Sequence, residues 1–331
     1  MTKEEVTQKR VENNIKILKL LANSSCHISS EEKKLILNDY SGWGGLRDAI
    51  YTPAIYKELK SFLSEAKIQS IKDSTSSAYY TPSLIVKFIW TTLSRLGFKR
   101  GDILEPAAGI GAFLDNMPEP IFNDSNIEAV EMDLLTSQIL TAKYKSLNIS
   151  CACFENLNYG NFKYDLVISN PPYGKQLIED IYYKNLSHLA IHHFFVAKSA
   201  KLLKNNGVIA MVLPSFFLDN VRDHARDMIA ADGVNLMLAY RLPDDLFANA
   251  KVTVDIVFLK KGETGIKWQK TKNIKIGSKT KAINEYFVTH PENILGELQI
   301  IPMYGRWGVT CKAQGDLREQ LIKVFLKIKK S

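Results

Sequence analysis

From about residue 78 to residue 261 the chain alternates short apolar runs with segments of helical period. This alternation restricts the fold more than any other feature. Residues 102–105, 127–131, 149–154, 166–169, 208–213, 236–241 and 252–260 have the length and apolar content of buried strands. Residues 84–96, 187–204 and 219–230 read as helices between them, the second ending before Asn205-Asn206-Gly207 as at a helix C-cap. Strands that alternate with helices form a parallel sheet covered on both faces. Ligands of such sheets bind beyond the carboxyl ends of the strands.

The flanks read differently. Residues 1–70 are helical, with Val11, Ile15, Ile17, Leu18 and Leu21 in helical period and a helix start at Ser29-Ser30-Glu31-Glu32. A glycine-rich turn, Tyr40-Ser41-Gly42-Trp43-Gly44-Gly45-Leu46, follows; Trp43 either staples the helices to the sheet or contacts a ligand, and the staple is favoured. Asp73-Ser74-Thr75-Ser76-Ser77 reads as a polar linker. Residues 262–331 are mixed and basic, with an amphipathic helix over 317–329. The expected organisation is a helical segment with linker at 1–77, a sheet domain at 78–261 and a basic extension at 262–331.

No apolar run reaches the ~18–20 residues of a membrane-spanning helix. Met1-Thr2-Lys3-Glu4-Glu5 lacks a secretory apolar region, so the cytoplasm is the expected compartment and no membrane partner is expected. Cys26, Cys151, Cys153 and Cys311 have no zinc spacing, and buried thiols rather than a metal site are expected. Net charge is +8, which favours a polyanionic partner. Lys260, Lys261, Lys267, Lys270, Lys272, Lys275, Lys279 and Lys281 concentrate that charge, either as a solvated hairpin or as a phosphate-tracking face.

Two stretches carry chemistry. Asn170-Pro171-Pro172-Tyr173 follows the fourth strand. Its prolines fix the backbone and donate no N–H, which leaves carbonyl acceptors facing outward beside one amide and one aromatic ring. Such a corner can grip an amino group on a flat ring. Glu105-Pro106-Ala107-Ala108-Gly109-Ile110-Gly111 follows the first strand, where the glycines allow a tight turn and close approach of a ligand. It is not the dinucleotide fingerprint. The next strand ends in Glu131, an acid able to accept from ribose hydroxyls, and Met132 beside it can pack on an adenine face. Together these suit a nucleoside-bearing ligand.

Glu105-Pro106 with Gly109-Ile110-Gly111, then Asn170-Pro171-Pro172-Tyr173, resembles the amino-group DNA methyltransferases that use S-adenosylmethionine. Tyr79-Tyr80-Thr81-Pro82 lies upstream, where the γ-type order of that family has a further cofactor motif. The chain also resembles the methylase part of large helicase–methylase proteins of phages and conjugative plasmids. Tyr40 to Leu46, Arg241-Leu242-Pro243, residues 255–260 and Asn284-Glu285-Tyr286-Phe287 carry that likeness.

The resemblance implies a Rossmann-like class I methyltransferase sheet with helices on both faces, a helical N-terminal segment and a small mixed C-terminal segment. It implies S-adenosyl-L-methionine as cofactor, DNA as partner, and a place in restriction–modification or a mobile element. It assigns Thr81, Glu105, Pro106, Ala107, Gly109, Gly111, Glu131, Met132, Glu155 and Asn170 to the cofactor, Thr81 at the methionine end and Glu155 at the adenine amino group. Glu155 stands where relatives usually have Asp. Thr81 could also cap the helix that starts at Pro82. Phe247 matches the position of the ring that stacks opposite Tyr173 on a flipped base, or it is a core aromatic. His192 and His193 read as core or surface side chains.

The chemistry can be argued separately. An adenine amino group is a poor nucleophile because its lone pair is delocalised into the ring. The Asn170 side-chain oxygen and the Pro171 carbonyl would accept its hydrogens and stabilise positive charge developing on nitrogen. A base inside a duplex must flip out to reach such a pocket. N6-adenine methylation is the expected activity. N4-cytosine methylation, methylation of RNA or of protein glutamine, and a non-catalytic DNA-binding module are the alternatives. Lys267, Lys270, Lys272 and Lys275 are the expected phosphate contacts; phosphate contacts position without specifying, so target recognition falls to the flanks or to a specificity or helicase partner.

Overall fold

A computed structural model describes residues 2–22, 30–75, 81–221, 224–247, 251–262, 268, 270–303 and 305–329. Its centre is a seven-stranded sheet of order β3-β2-β1-β4-β5-β7-β6. The strands are β1 (Asp102–Glu105), β2 (Asn126–Glu131), β3 (Asn148–Cys151), β4 (Tyr164–Ser169), β5 (Leu203–Pro214), β6 (Val234–Arg241) and β7 (Val254–Lys261). The first five are parallel. β7 runs antiparallel between β5 and β6, which corrects the expectation of a parallel sheet. Only residues 242–253 join β6 to β7, and the described ones form no crossover helix, so the chain returns as a direct antiparallel neighbour.

The central strands β1, β4, β5 and β7 are largely buried on both faces. In β1, Ile103 and Leu104 are each 0% exposed but belong to different clusters. Ile103 packs with Ile89 and Trp90 of the helix Ser83–Arg95, and with Val324 of the helix Leu317–Leu326. Leu104 packs with Phe194 and Ala197 of the helix Ile191–Leu202. Fully burying each large apolar side chain contributes roughly 1.5–3 kcal/mol, so both layers are strongly held. Trp268, Phe287 and Leu295 from the C-terminal extension enter these same clusters. The extension otherwise forms two hairpins, β8 (Thr271–Ile276) with β9 (Lys279–Asn284), and β10 (Glu297–Met303) with β11 (Arg306–Lys312).

Several boundaries differ from the sequence reading. β3 stops at Cys151, and Phe154–Asn156 is a separate 3-10 turn beyond the sheet edge. Cys151 is exposed because β3 is an edge strand; Cys153 is partly exposed, Cys311 is buried, and Cys26 lies outside the described residues. The helix expected from 187 starts at Ile191, since the Ile191 N–H donates to the Gln176 carbonyl at 3.0 Å and closes the loop that follows Tyr173. Asn206, at φ 65°, sits within β5 and does not cap a helix. The helix expected over 219–230 is two pieces, Phe216–Asp219 and His224–Ala231. Asp73 and Ser74 close the helix Glu65–Ser74 instead of opening a linker; Ser76 and Ser77 lie outside the described residues.

The N-terminal helices form a third cluster around Trp43, which is 1% exposed, with Leu135 and Ile139 of the helix Leu134–Lys143. The glycine-rich turn is held from Lys3–Ala22: Arg10 donates to the Ser41 and Gly44 carbonyls at 3.2 Å each, and Asn14 donates to the Gly42 carbonyl at 2.7 Å. Trp43 is therefore the staple, not a surface contact. Ile110 of the other glycine turn packs on this cluster, so the helices brace the carboxyl end of β1.

Candidate active site

β1 and β4 are neighbours, with Ile103 opposite Leu166 and Leu104 opposite Val167. Glu105 and Ser169, their last residues, therefore emerge side by side. The strand order reverses here, because β2 and β3 lie to one side of β1 and β4 and β5 to the other. Crevices at such switch points are where open α/β sheets bind ligands.

Asn170 is partly buried, Pro171 is buried, and Pro172 and Tyr173 are partly buried. The Tyr173 hydroxyl donates to Asn170 Oδ1 at 2.5 Å and to the Val212 carbonyl at 3.0 Å. Burial, with the Asp255 carboxylate adding to it, pushes this phenol well above its ordinary range, so it stays protonated. The Tyr173 ring packs against the cluster that contains Phe247, which is 6% exposed. The two rings expected to flank a base thus share one apolar cluster, and Phe247 sits as a core aromatic.

The glycine turn is fixed by backbone geometry. Gly109 and Gly111 have φ of 55° and 87°, and a Cβ on Gly111 would come within 2.8 Å of the Leu140 side chain. A left-handed backbone and the missing room both require glycine there. Pro106 is buried, Ala107 partly so, and the Ala108 N–H donates to the Val130 carbonyl at 2.9 Å. Glu131 accepts from the Gly109 N–H at 2.8 Å and the Asp133 N–H at 2.7 Å. Burial still pushes its carboxyl up to about 7, against the pull of those N–H groups. Beneath the turn, Lys143 donates to the Ile110 carbonyl at 3.0 Å and pairs with Asp115 at 2.7 Å.

Glu105 is 1% exposed, and neither carboxylate oxygen has a hydrogen-bond partner among the described residues. Burial, then the charges of Asp115 and Glu131, holds its carboxyl well above the carboxylate range. An acid in this state is suited to a ligand that brings a cation. Thr81, 6% exposed, also has a buried hydroxyl with no partner among the described residues. Pro82, not Thr81, is the N-cap of Ser83–Arg95, so the capping alternative is not realised. Tyr79 and Tyr80 lie outside the described residues. These orphaned groups fit the amino and carboxylate end of S-adenosylmethionine.

Met132 is 65% exposed beside Glu131, free to cover a ring. Glu155, on the turn Phe154–Asn156, is partly exposed. Behind it is a residue the sequence reading missed. The Lys198 ammonium, on the helix Ile191–Leu202, donates to the carbonyls of Phe154 at 2.8 Å and Leu157 at 3.1 Å, and pairs with Asp180 at 2.7 Å. Lysine four residues after Phe194 in an apolar helix was the available signal.

Other expectations are sorted by position. His192 and His193 are buried and make ring contacts with Phe216 and Phe217 at 4.9 and 5.4 Å. Lys270, Lys272 and Lys275 are exposed on or beside the β8–β9 hairpin, and Lys267 lies outside the described residues. Lys260 faces Val208, well before the carboxyl end of β5, so the lysine strip is not one surface. Arg241, Asp255, Asp219 and Asn284, far apart in sequence, form one buried network: Arg241 pairs with Asp255 and Asp219 at 2.8 Å each, and Asp219 accepts from the Asn284 N–H at 2.9 Å. A cavity of about 500 Å³ lies at the other end of the sheet, lined by Asp102, Asn126, Glu128, Asn148 and Tyr164 among others. Among the described residues there is no cluster of three His, Cys, Asp or Glu suited to a metal, and no helix long and apolar enough to cross a membrane.

Residues 83–240 match the family model described as Eco57I restriction-modification methylase. The "Defense against restriction protein B" of Escherichia phage P1 is 23% identical over 237 residues, covering 70% of this chain and 9% of that protein. Modification methylase CviBIII of Paramecium bursaria Chlorella virus NC1A is 27% identical over 158 residues, covering 46% of this chain and 41% of the relative. The chain thus spans less than half the length of either. The type I restriction-modification system methyltransferase subunit from Streptococcus thermophilus superposes with a TM-score of 0.52 at 16% identity, over 83% of this chain and 61% of that one. The fold is that of the class I S-adenosylmethionine-dependent methyltransferases.

Proposed function

From a chain whose residues 83–240 carry an Eco57I-type restriction-modification methylase domain, whose family and fold imply S-adenosyl-L-methionine as cofactor, we propose a DNA adenine N6-methyltransferase. The observation that carries this reading is the adjacency of β1 and β4, which sets the orphaned Glu105 carboxylate beside Asn170-Pro171-Pro172-Tyr173. One side of the crevice wants a cation; the other offers acceptors for an amino group.

When bound, the cofactor supplies an electrophilic methyl group. Glu105 holds its amino end, Thr81 its methionyl carboxylate end, and Glu131 its ribose hydroxyls. The backbone of residues 106–111 passes close to it, Met132 covers the adenine face, and Glu155 accepts from the adenine amino group. On the other side, Asn170 Oδ1 and the Pro171 carbonyl accept the two N–H groups of the target. That polarises the nitrogen and stabilises the charge it gains. No base is needed before attack, because the proton leaves a nitrogen that has already become cationic. Much of the rate comes from holding the reactants in line.

Tyr173 stacks on the flipped base after its hydroxyl leaves Asn170 Oδ1 and Val212, and Phe247 flanks the base only if its ring turns out of the core. Residues 78–261 are the catalytic unit, and 1–77 and 262–331 support it. Lys270, Lys272 and Lys275 contact phosphates; with Lys267 they make binding salt-sensitive. Target recognition falls to the flanks, 1–77 and 262–331, or to a specificity or helicase partner.

Incubation with tritiated S-adenosylmethionine and unmethylated duplex DNA, RNA or bulk protein tests the substrate class. Label in DNA alone is expected. Label in RNA or protein, or in none of the three, would overturn the reading.

A further inference from the structure

Two loops leave the carboxyl ends of β3 and β4. The first is the turn Phe154–Asn156 and Leu157, which carries Glu155. The second continues from Tyr173 through Asp180 to the helix start at Ile191, and is closed by the Gln176 carbonyl accepting from the Ile191 N–H and by pairing of Leu177 with Ala190. One ammonium group joins them. Lys198 Nζ meets the Phe154 carbonyl (2.8 Å) and Leu157 carbonyl (3.1 Å) in the first loop, and Asp180 Oδ2 (2.7 Å) in the second. Its ring contacts reach both loops as well, with Phe154 at 4.8 Å and Tyr183 at 5.3 Å from the ring centroids, beside Tyr159 at 5.7 Å and Phe194 of its own helix at 5.8 Å. The other oxygen of Asp180 accepts from the Tyr182 and Tyr183 N–H groups at 2.7 and 2.8 Å, which fixes the turn of the second loop. Both charged side chains are 0% exposed.

We propose that Lys198 is a positioning residue that couples occupancy of the cofactor site to the order of the loop downstream of the Asn-Pro-Pro-Tyr corner. The inference rests on the reading of the site given above. A cofactor adenine held at Glu155 fixes the backbone of Phe154 and Leu157. That backbone holds the ammonium, and a buried ammonium with all its donors used can move from neither loop without stranding the other's acceptors. Ordering is therefore passed from the first loop to the second through one side chain, a stated physical link and not mere proximity. The second loop begins at Tyr173, so cofactor binding prepares the target side before any base arrives.

Amide hydrogen exchange with and without sinefungin, a non-reactive analogue of the cofactor, tests this. In the wild type, sinefungin is expected to slow exchange about tenfold both at residues 154–157 and at 176–187, within the usual range of site-to-site coupling. In Lys198→Met, protection at 154–157 is expected to remain while protection at 176–187 disappears. Asp180→Asn, whose side-chain oxygen still accepts from Tyr182 and Tyr183, should show the same loss, and it serves if Lys198→Met does not fold. Lys201→Ala, on the same helix but in a partly exposed pair with Asp232, should behave as wild type. Sinefungin-dependent protection of 176–187 retained in the variants, or absent from a wild type that binds sinefungin, would overturn the coupling. A purely structural Lys198 would speed exchange in both states and leave the sinefungin difference intact, which also overturns it. A wild type that does not bind sinefungin would instead overturn the reading of the cofactor site.

Discussion

The Tyr173 hydroxyl donates to Oδ1 of Asn170, the oxygen proposed for the target amino group, at 2.5 Å, and shares its proton with the Val212 carbonyl at 3.0 Å. Corner and tyrosine are thus packed on each other, and the target amino group must displace the hydroxyl. Tyr173→Phe removes the competing O–H donor but keeps the ring. Methyl transfer by Tyr173→Phe is expected to stay within about threefold of wild type, whereas Tyr173→Ala should lose the stacking worth about 1–3 kcal/mol per base. Steady-state kinetics on one duplex decides this; equal loss in both variants would assign the role to the hydroxyl.

Glu105 is buried with both oxygens unpaired among the described residues, which is a cost to the fold. Glu105→Gln should raise or preserve thermal stability and at the same time weaken sinefungin binding by about tenfold or more, the exchange of stability for function common at sites. Differential scanning fluorimetry with calorimetric titration reads both quantities. Unchanged affinity would exclude Glu105 from the cofactor's cationic end.

The folded Glu131 carboxyl is raised to about 7 from its ordinary 4.5, chiefly by burial. Between these values the native protein holds a proton that the unfolded chain has released. Its contribution to stability is present below the lower value and is lost as pH rises through the upper one. Thermal midpoints should therefore fall between about pH 5 and 7, and Glu131→Gln should flatten that slope. A slope identical in the variant would place the titration elsewhere; Glu105, raised in the same direction, is the next group to test.

Arg241 is 0% exposed and shared between Asp255 and Asp219. Removing one member of a buried ion pair strands the other and costs about 3–5 kcal/mol. Arg241→Met should lower denaturant stability by that order, whereas Lys19→Met, in an exposed pair with Glu58, should change it by less than about 1 kcal/mol.

Periodicity made the central sheet legible because β1, β4 and β5 carry short apolar runs, Ile103-Leu104, Leu166 to Ile168 and Val208 to Leu213, that pack on both faces of the sheet. The reversal of β7 was not legible, since a strand's own residues do not encode the direction of its neighbour. The glycine turn and Asn170-Pro171-Pro172-Tyr173 stood out because backbone geometry leaves few residue choices there. The pairing of Lys198 with Asp180, and of Arg241 with Asp255 and Asp219, did not, although Arg241 and Asp255 lie in stretches that carry the resemblance; each charge is intelligible only beside a partner from elsewhere in the chain. Phe247 shows the converse: the sequence left a base-stacking ring and a core aromatic both open, and only the packing shows the cluster it joins.

The most direct test is nucleoside chromatography of unmethylated duplex DNA incubated with S-adenosylmethionine and either wild type or Asn170→Ala. The expected result is N6-methyladenine with wild type and at least about a hundredfold less with Asn170→Ala, the scale set by loss of one group that stabilises developing charge. N4-methylcytosine in place of N6-methyladenine, or undiminished methylation by Asn170→Ala, would contradict the account of this corner.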